Sequence, residues 1–404
     1  WAPIEKLPAE RGIIRALKNL AKKADSIVIG TDFDREGELI GSDALRQMRQ
    51  VAPDVPVSRA RYSAFTKAEI DHAFANLVDL DQDLADAGES RQYIDLIWGA
   101  VLTRYLTMAR FGGFGNVRSA GRVQTPTLAL VVEKERERQA FVPEDYWVLS
   151  GMLAPAGTAD EDARFKATHT TARFKDQAAA QAAWSHVRDA RTATVTAVEK
   201  RSRTTRPPAP FNTTSLQTAA ASEGISPART MRLAESLYMD GLISYPRVDN
   251  TVYPKSLDLR GCVRTLSQVP QYRAACRELL DAGPLHATRG KQETTDHPPI
   301  YPTAAADPGK LEGAARKLYN LIARRFLATL SQASVSEGTK VAFDVSGEPF
   351  SASGTVLVKP GFRAIYPYGL RKDEQLPPLE VGDSCDVVSM ALDAKQTEPP
   401  ARYS

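Results

Sequence analysis

The chain has 404 residues, of which 43% are hydrophobic. A chain of this length is too long to fold around one hydrophobic core, so we expect several domains. Its 52 Lys and Arg residues nearly balance its 49 Asp and Glu residues, so affinity for nucleic acid would have to come from local clusters of positive charge. No segment has the roughly 18 apolar residues of a membrane-spanning helix, and the three widely spaced cysteines suit neither a disulfide framework nor a zinc site.

The N-terminal residues predict a short strand between two helices. Ile13, Leu17 and Leu20 fall on one face of a first helix, and the SIVIG sequence at 26–30 is typical of a short buried strand. A second helix is expected to begin at about Glu38. This order of strand, turn and helix indicates an α/β layer at the start of the chain.

The rest of the chain alternates between helical and β-rich stretches. Helical periodicity runs from Glu69 to about Arg110 and dominates 211–335, where one helix is expected to end at Gly241. Alternating residues with β-branched and aromatic side chains predict strands over 146–153, 192–199, 339–358 and 377–392. Because a helical block interrupts these strands, we expect a β domain that is discontinuous in sequence.

Positive charge is concentrated in two stretches. No acidic residue occurs between Asp95 and Glu133, and this interval contains Arg104, Arg110, Arg118 and Arg122. The second stretch, 200–222, contains Lys200, Arg201, Arg203 and Arg206 and no carboxylate. Both stretches predict local surfaces of positive charge.

The most informative turn is GTDFDREGELIG at positions 30–41. Asp32, Asp34 and Glu36 alternate directly after the buried strand, so their carboxylates can converge at its C-terminal end and bind Mg²⁺, which prefers oxygen ligands. The alternative is structural: Asp34 caps the following helix, and Glu36 and Glu38 favour its positive end. Arg35 between these acids either forms an ion pair or contacts a phosphate.

The second informative segment is GLISYPRVDNTVYP at positions 241–254. Tyr245 precedes a proline, which favours an extended backbone, and Arg247 follows on the same side of such a segment. A phenol with a pKa near 10 is a poor nucleophile, and an adjacent permanent cation that grips a phosphate would assist phosphoryl transfer to it. The alternative is an ordinary buried or interface tyrosine.

These segments resemble known families. The acidic turn resembles the motif of Toprim domains, which occur in type IA and type II topoisomerases, primases and some nucleases. The tyrosine segment resembles the active-site stretch of type IA DNA topoisomerases, in particular archaeal-type topoisomerase I and topoisomerase III. Further stretches resemble the type IA family in the same order along essentially the whole chain: RARYSAFTKAEI (59–70), SRQYIDLIWGAVLTR (90–104), SAGRVQTPTLALVVEKERER (119–138), PFNTTSLQTAA (210–220) and the final PPARYS.

The resemblance implies a catalytic group. Asp32, Asp34 and Glu36 would be the Mg²⁺ ligands, with Glu36 also among the catalytic residues. Tyr245 would be the nucleophile, and Arg247 would stabilise the phosphate charge.

The resemblance also implies a set of DNA contacts. Arg122, in the Ser-Ala-Gly-Arg-Val-Gln motif, would contact the DNA backbone together with Gln124, and Arg35 would contact a phosphate. Arg91 and Asp95 would contact the strand upstream of the cut; the alternative is a helical ion pair between these two residues at i and i+4, which stabilises a helix only slightly.

His297 matches a histidine of the family that lies near the reacting phosphate and is counted among the catalytic residues. It stands in TTDHPPIYPT, before two prolines that hold the backbone extended. Considered without the resemblance, a solvated loop histidine is the favoured interpretation.

The implied fold is multidomain, α/β and α+β, with a partial Toprim α/β domain, helical domains and a discontinuous β-rich arch, as in the type IA toroid. The predicted domains are a Toprim domain at 1–84, a helical DNA-binding domain at 85–143, the arch or hinge at 144–204 and 338–394, a helical domain carrying the tyrosine at 205–337, and the start of a further helical segment at 395–404.

The sequence departs from the family at its ends. Family members carry an upstream strand that ends in a glutamate with a nearby lysine, and neither Glu5 nor Glu10 follows a strand here, so neither is assigned that role. We therefore expect a fragment that lacks the first Toprim strand and the C-terminal part, which leaves the activity of this chain alone open.

The implied activity is ATP-independent cleavage of one DNA strand through a 5′-phosphotyrosyl link, strand passage and religation, relaxing negatively supercoiled DNA. The expected partner of this cytoplasmic, chromosome-associated monomer is single-stranded or negatively supercoiled DNA, with Mg²⁺ as cofactor and no membrane. Alternatives are a decatenating topoisomerase III, the topoisomerase module of a reverse gyrase, a Toprim nuclease or primase, and a non-catalytic DNA-binding fragment.

Overall fold

The chain forms two units, each built from two separated stretches of sequence. The first unit comprises Trp1–Arg122 and Pro207–Ser331, and the second, called the barrel unit below, comprises Val123–Arg206 and Gln332–Ser404. The computed structural model describes residues 10–109, 117–158, 160–294, 296–306, 311–369 and 375–403. Glu5 and Arg110 lie outside the described residues.

The first unit begins with a small α/β layer. Helix α1 (Arg11–Ala21) leads to strand β1 (Ile27–Ile29), helix α2 (Arg35–Arg49) and strand β2 (Val57–Arg59). The two strands are parallel, with Ile27 opposite Val57 and Ile29 opposite Arg59. Helix α2 begins three residues before the predicted start at Glu38, because Asp34 already caps it.

Two helices follow where one helical stretch was predicted. Helix α3 (Lys67–Ala75) and helix α4 (Gln82–Ala109) are separated by a short segment that includes Val78, whose backbone N–H and C=O pair with Arg59. Helix α4 packs against α2, and a Cβ at Gly88 would stand 2.4 Å from the carbonyl oxygen of Arg35. A glycine is therefore needed where the two helices touch.

The second stretch of the first unit is helical. Its helices are α7 (Thr213–Ser222), α8 (Pro227–Met239), α9 (Leu259–Leu266), α10 (Arg273–Asp281) and α11 (Gly313–Thr329). Helix α11 packs against α7 and α8. Leu216, Leu237, Ile322 and Phe326 are buried, as an apolar stripe on each helix requires.

The barrel unit contains a closed antiparallel barrel. Its strands are β3 (Asp145–Pro155), β4 (Phe165–His169), β5 (Thr192–Thr205), β6 (Ser334–Val345), β7 (Glu348–Lys359) and β8 (Ser384–Gln396), in the order β3-β4-β7-β6-β5-β8. The predicted strand at 339–358 is a hairpin, turned at Ser346 and Gly347 with φ of 53° and 87°. The barrel closes through short pairings: β5 pairs with β8 only over Thr192–Thr194, and β4 pairs with β7 only at Thr168 and His169.

Two helices accompany the barrel. Helix α6 (Gln177–Val187) and the short strand β4 were not predicted, since five residues of strand and an alanine-rich helix give weak periodicity. Helix α5 (Gln124–Gln139), which the sequence analysis included in the helical region 85–143, belongs to the barrel unit. Glu135 of this helix forms an ion pair with Arg402, which lies near the C-terminal end of the sequence of that unit.

Two further observations bear on the function classes considered from sequence. In the part of the chain that the structure describes, no helix combines the length and apolar character needed to cross a bilayer. The three cysteines, Cys262, Cys276 and Cys385, are free thiols, and burial raises the pKa of each to about 11.

The barrel core predicts the cost of truncating one of its rings. Phe343 is 1% exposed and its ring centroid lies 5.6 Å from that of Phe165. We expect Phe343→Ala to lower the free energy of unfolding of the barrel unit by about 3–5 kcal/mol, because the buried ring leaves a cavity. Chemical denaturation measures this loss, and the exposed Val358→Ala on β7 is the control. Equal losses in the two variants would contradict the assigned core.

Candidate active site

The acidic turn is organised by the first turn of α2. Asp34 is the N-cap: the Gly37 backbone N–H donates to Asp34 Oδ1 at 2.7 Å. A Cβ at Gly37 would stand 1.9 Å from the carbonyl oxygen of Asp32, so only glycine allows this tight approach. The capping alternative is correct for Asp34, but the cap uses only one of its two carboxylate oxygens.

A buried ion pair holds the backbone of this turn. Arg59 Nε donates to Glu38 Oε2 at 2.8 Å, and both side chains are fully buried. Arg59 Nη2 donates to the carbonyl oxygen of Asp32 at 3.0 Å, and Nη1 donates to the carbonyl oxygens of Ile29 and Ala60. Removing one partner of such a pair costs on the order of 3–5 kcal/mol, because the other charge stays buried. The pair therefore positions Asp32 through its main chain.

Neither member of this pair was identified as a site residue from sequence. Glu38 was considered only as a residue near the positive end of a helix, and Arg59 only as the first letter of the RARYSAFTKAEI stretch. An arginine at the end of a strand that enters the core indicates that an acidic partner lies nearby, because a buried charge needs a partner.

The tyrosine segment reaches the acidic turn after a sharp reversal of the chain. Helix α8 ends at Met239, and Gly241 has a φ of 69°. The extended segment that follows is held on one side by the Tyr245 backbone N–H, which donates to the Ser63 carbonyl at 2.9 Å. On the other side, the Ser244 backbone N–H donates to the Tyr301 carbonyl at 2.9 Å. Main-chain hydrogen bonds therefore set the position of Tyr245.

The phenol of Tyr245 contacts a carboxylate from the far end of the sequence. Tyr245 Oη donates to Asp34 Oδ2 at 2.5 Å, across 211 positions. The side chain is 5% exposed. Burial raises the pKa of Tyr245 far above 10, the hydrogen bond to Asp34 and the charges of Asp34 and Asp32 add to the rise, and Arg247 opposes it. The hydroxyl is thus held protonated against an acceptor.

A second tyrosine, Tyr238, forms a hydrogen bond with Asp32, the other aspartate of the acidic turn. Tyr238 Oη donates to Asp32 Oδ1 at 3.0 Å, and its ring lies edge-on to Tyr245 with centroids 5.3 Å apart. Phe65 packs on Tyr238 at 4.8 Å. Burial raises the pKa of Tyr238 as well, with Asp32 adding to the rise. Tyr238 has no recognisable signal in the sequence, because its position depends on how α8 is docked.

His297 is buried against the tyrosine. Its side chain is 2% exposed and its ring centroid lies 4.6 Å from that of Tyr245. Nδ1 shares a hydrogen bond with Ser63 Oγ at 2.9 Å, and among the described residues none bonds Nε2. Burial lowers the pKa of His297 below 6.5, so the imidazole is neutral at neutral pH. The solvated-loop interpretation is wrong, because Asn250 Nδ2 donates to the His297 carbonyl and draws the loop inward.

Glu36 lies between two arginines. Its Oε1 accepts from Arg91 at 2.9 Å, and its Oε2 lies 3.9 Å from Arg247 Nη1. Arg247 Nε and Nη2 both donate to Glu235 on α8. The predicted alternative pairing of Arg91 with Asp95 is not formed, because Asp95 is taken by Arg122 and Arg91 by Glu36.

Several of these residues line one cleft of about 710 Å³ in the first unit. The cleft is lined by both signs of charge: three arginines and four carboxylates, namely Arg35, Arg91, Arg247, Asp34, Glu36, Asp249 and Asp296. The hydrogen bond from Arg122 holds the pKa of Asp95 below its usual value. Arg122 ends the first unit, whereas Gln124 lies at the start of α5 in the barrel unit.

Known protein families match most of this chain. Residues 79–404 match the DNA topoisomerase family, and residues 4–65 match the Toprim domain. The chain belongs to the type IA DNA topoisomerase family. The resemblance stated from sequence and the expected mixed fold, with Toprim, helical and antiparallel sheet parts, are confirmed.

Individual topoisomerases show how far the similarity extends. DNA topoisomerase 1 of Archaeoglobus fulgidus is 42% identical over 404 residues, covering 100% of this chain and 58% of that protein. DNA topoisomerase 3-beta-1 of Homo sapiens is 32% identical, covering 99% of this chain and 47% of that protein. The full-length topoisomerase I structure from Thermotoga maritima superposes with a TM-score of 0.76 at 25% identity, covering 98% of this chain and 64% of that chain. The chain thus spans about half to three fifths of the curated relatives.

The acids of this site fit a metal as a pair rather than as a trio. Among the described residues, no three or more His, Cys, Asp or Glu side chains form a group that could hold a metal ion. Asp32 and Asp34 both face Tyr245, whereas Glu36 turns to Arg91 and Arg247. Mg²⁺ commonly takes one or two carboxylates and completes its shell with water and phosphate, so the Asp32–Asp34 pair suits it.

The buried histidine predicts a loss of stability in acid. Because the folded-state pKa of His297 lies below 6.5, the unfolded chain binds more protons than the folded chain as pH falls through 6.5. Folding stability should therefore fall with decreasing pH, and less so in His297→Gln. Urea denaturation of both proteins at two pH values, about 7.5 and 5.5, measures the difference. Replacement of the exposed His72 by Gln is the control, and equal losses in wild type and His297→Gln would refute the prediction.

Proposed function

We propose that this chain carries the cleavage centre of a DNA topoisomerase that cuts one strand, passes another through the break and reseals it. The observation that supports this most strongly is the hydrogen bond between Tyr245 Oη and Asp34 Oδ2. Asp34, which accepts this hydrogen bond, lines a cleft that Arg35, Arg91 and Arg247 also line. A phenol held protonated on that carboxylate is suited to attack a phosphodiester bound in the cleft.

The chemistry is a reversible transesterification. Tyr245 Oη attacks the phosphorus, its proton passes to Asp34, and the bond from phosphorus to the 3′-oxygen breaks. The products are a 5′-phosphotyrosyl link and a 3′-hydroxyl, whose oxygen takes up a proton from solvent as it leaves. Religation reverses each step, so no ATP is required.

The surrounding residues stabilise the charge that develops on the phosphate. Arg247 presents Nη1 to the cleft, and the neutral imidazole of His297 lies against the phenol with Nε2 available for a hydrogen bond. Glu36 orients Arg91 in this scheme and is outside the metal pair. Donors held in place before the reaction lower its barrier most effectively.

The DNA substrate is single-stranded or underwound, because the reacting strand has to pass along the cleft past its arginines. Arg35, Arg91 and Arg122 are assigned to the strand, and their contacts with phosphates supply the salt-dependent part of binding. Asp95 and Gln124 are assigned to the same strand. As a DNA enzyme the protein would act as a monomer on the chromosome, in the cytoplasm. Two expectations from sequence stay predictions. One is that the β-rich arch acts as the hinge that opens a gap for strand passage, and the other is the set of domain boundaries.

Mg²⁺ is the proposed cofactor. Asp32 and Asp34 would hold it, and when bound it would neutralise charge on the reacting phosphate. The match of residues 4–65 to the Toprim domain supports this choice.

Other activities are less well supported. A Toprim nuclease or primase uses the acids without the tyrosine, and the Tyr245–Asp34 hydrogen bond would then have no role. Decatenation and relaxation use the same centre, and the chain is similar to both topoisomerase 1 and topoisomerase 3 proteins. We place relaxation first and decatenation second, because the identity is 42% to the topoisomerase 1 protein and 32% to the topoisomerase 3 protein.

The nucleophile can be tested against a matched tyrosine. We expect Tyr245→Phe to abolish covalent attachment of a labelled single-stranded oligonucleotide, assayed by denaturing electrophoresis with the full-length protein. Tyr238→Phe removes a hydroxyl of similar burial and is expected to retain the adduct. An adduct in Tyr245→Phe, or free DNA ends without adduct in wild type, would refute the proposal.

The role of the acids is tested by charge removal. Asn is as good an N-cap as Asp, so Asp34→Asn keeps the helix cap but removes the proton acceptor and a metal ligand. We expect cleavage to fall at least about 100-fold, since general acid–base assistance contributes on that scale. Chelation by EDTA is expected to stop religation and relaxation, with recovery on added Mg²⁺. Wild-type cleavage by Asp34→Asn would contradict the assignment.

A further inference from the structure

Arg247 is held along one edge of its guanidinium. Its Nε, at 3.0 Å, and its Nη2 both donate to Glu235 Oε1. The opposite nitrogen, Nη1, lies 3.9 Å from Glu36 Oε2. A guanidinium is a rigid planar fork of five N–H donors, so a grip on one edge sets the direction of the other.

Glu235 itself stands outside the cleft. Arg247 is among the residues that line the 710 Å³ cleft, whereas Glu235 is not one of them. The carboxylate therefore approaches Arg247 from the side and leaves Nη1 directed into the cleft, towards Glu36. A phosphate entering the cleft can replace Glu36 at Nη1 without displacing Glu235.

The helix that carries Glu235 is docked on the acidic turn. Tyr238 follows Glu235 by three residues on α8, so the two side chains share a helical face. Tyr238 bonds Asp32 and packs on Tyr245, which fixes the rotation of this turn of α8 relative to the nucleophile. Glu235 is thus held at a defined position beside the nucleophile.

The ion pair between Arg247 and Glu235 orients the Arg247 side chain and contributes little to folding stability. The two side chains are 52% and 41% exposed, and an ion pair in that environment adds little to folding stability. An arginine of this exposure without a partner would sample many rotamers. Misplacement of a catalytic group by about 1 Å can cost as much as a hundredfold in rate.

We propose that Glu235 is a positioning residue for strand cleavage: it holds the Nε–Nη2 edge of Arg247 so that Nη1 points at the phosphate attacked by Tyr245. The inference rests on the proposed function and extends it to a residue that does not contact the substrate.

The test is single-turnover adduct formation by the full-length protein on a labelled single-stranded oligonucleotide at saturating concentration, with the dissociation constant measured separately. Glu235→Ala should slow adduct formation about tenfold and leave the dissociation constant within about twofold. Glu235→Gln keeps an acceptor oxygen and should stay within about threefold of wild type. Glu223→Ala is the matched control, because Glu223 is an exposed carboxylate at the end of α7, and it should leave both values unchanged.

A second variant guards against misfolding. If the thermal midpoint of Glu235→Ala is lowered, Glu235→Asp is used, which keeps the charge but withdraws the acceptor, and it should slow adduct formation as well. In an Arg247→Ala background, Glu235→Ala should have no further effect, as expected when one residue acts only through the other.

Three results would overturn the inference: wild-type rates in Glu235→Ala and Glu235→Asp, equal slowing by Ala and Gln, or an undiminished effect in the Arg247→Ala background. Failure of the proposed function looks different. In that case wild type forms no adduct, or Tyr245→Phe still forms it, whatever the Glu235 variants do.

Discussion

The hydrogen bond between the phenol of Tyr245 and the carboxylate of Asp34 is the contact on which the site depends. It joins residues 211 positions apart, so it forms only when both stretches of the first unit are folded and docked. The docking is mainly a matter of main chain: Tyr245 N–H bonds the Ser63 carbonyl, and the chain reversal at Gly241 lies against Phe65. Because the backbone is fixed on both sides, the phenol has little freedom to leave its acceptor.

Two kinds of charge pair surround this bond, and their burial separates their roles. Arg59 and Glu38 are fully buried, so neither can exchange its partner without a large cost, and the pair permanently shapes the acidic turn. Glu36, Arg91 and Arg247 are about half exposed, where ion pairs are weak and readily exchanged. A phosphate can therefore replace a carboxylate in the cleft while the turn behind it stays rigid.

The aromatic packing explains why the phenol of Tyr245, the proposed nucleophile, is shielded from solvent. Tyr238, Tyr245 and His297 lie in successive contact, and this packing excludes water from the phenol. The same burial that raises the pKa of Tyr245 lowers that of His297, because low polarity disfavours the charged form of either group. Both groups are neutral at rest, so the proposed cleavage needs the charge of a phosphate and of its counter-cations before the phenol gives up its proton.

The sequence by itself determined the family, the mixed fold and the two segments that meet in the site, because those depend on local signals: alternating acids after a strand, and a tyrosine and arginine around a proline. It also indicated that the strands are interrupted by helices. It could not distinguish a cap from a metal ligand at Asp34, which serves as the cap with one oxygen and bonds the phenol with the other. Only the tertiary structure decided that Glu36 turns to arginines and that His297 is buried. It also decided which residues of the site Tyr238, Arg59 and Glu235 contact. The physical reason is that partner choice among charged and aromatic side chains is set by distance in space, which local periodicity does not encode.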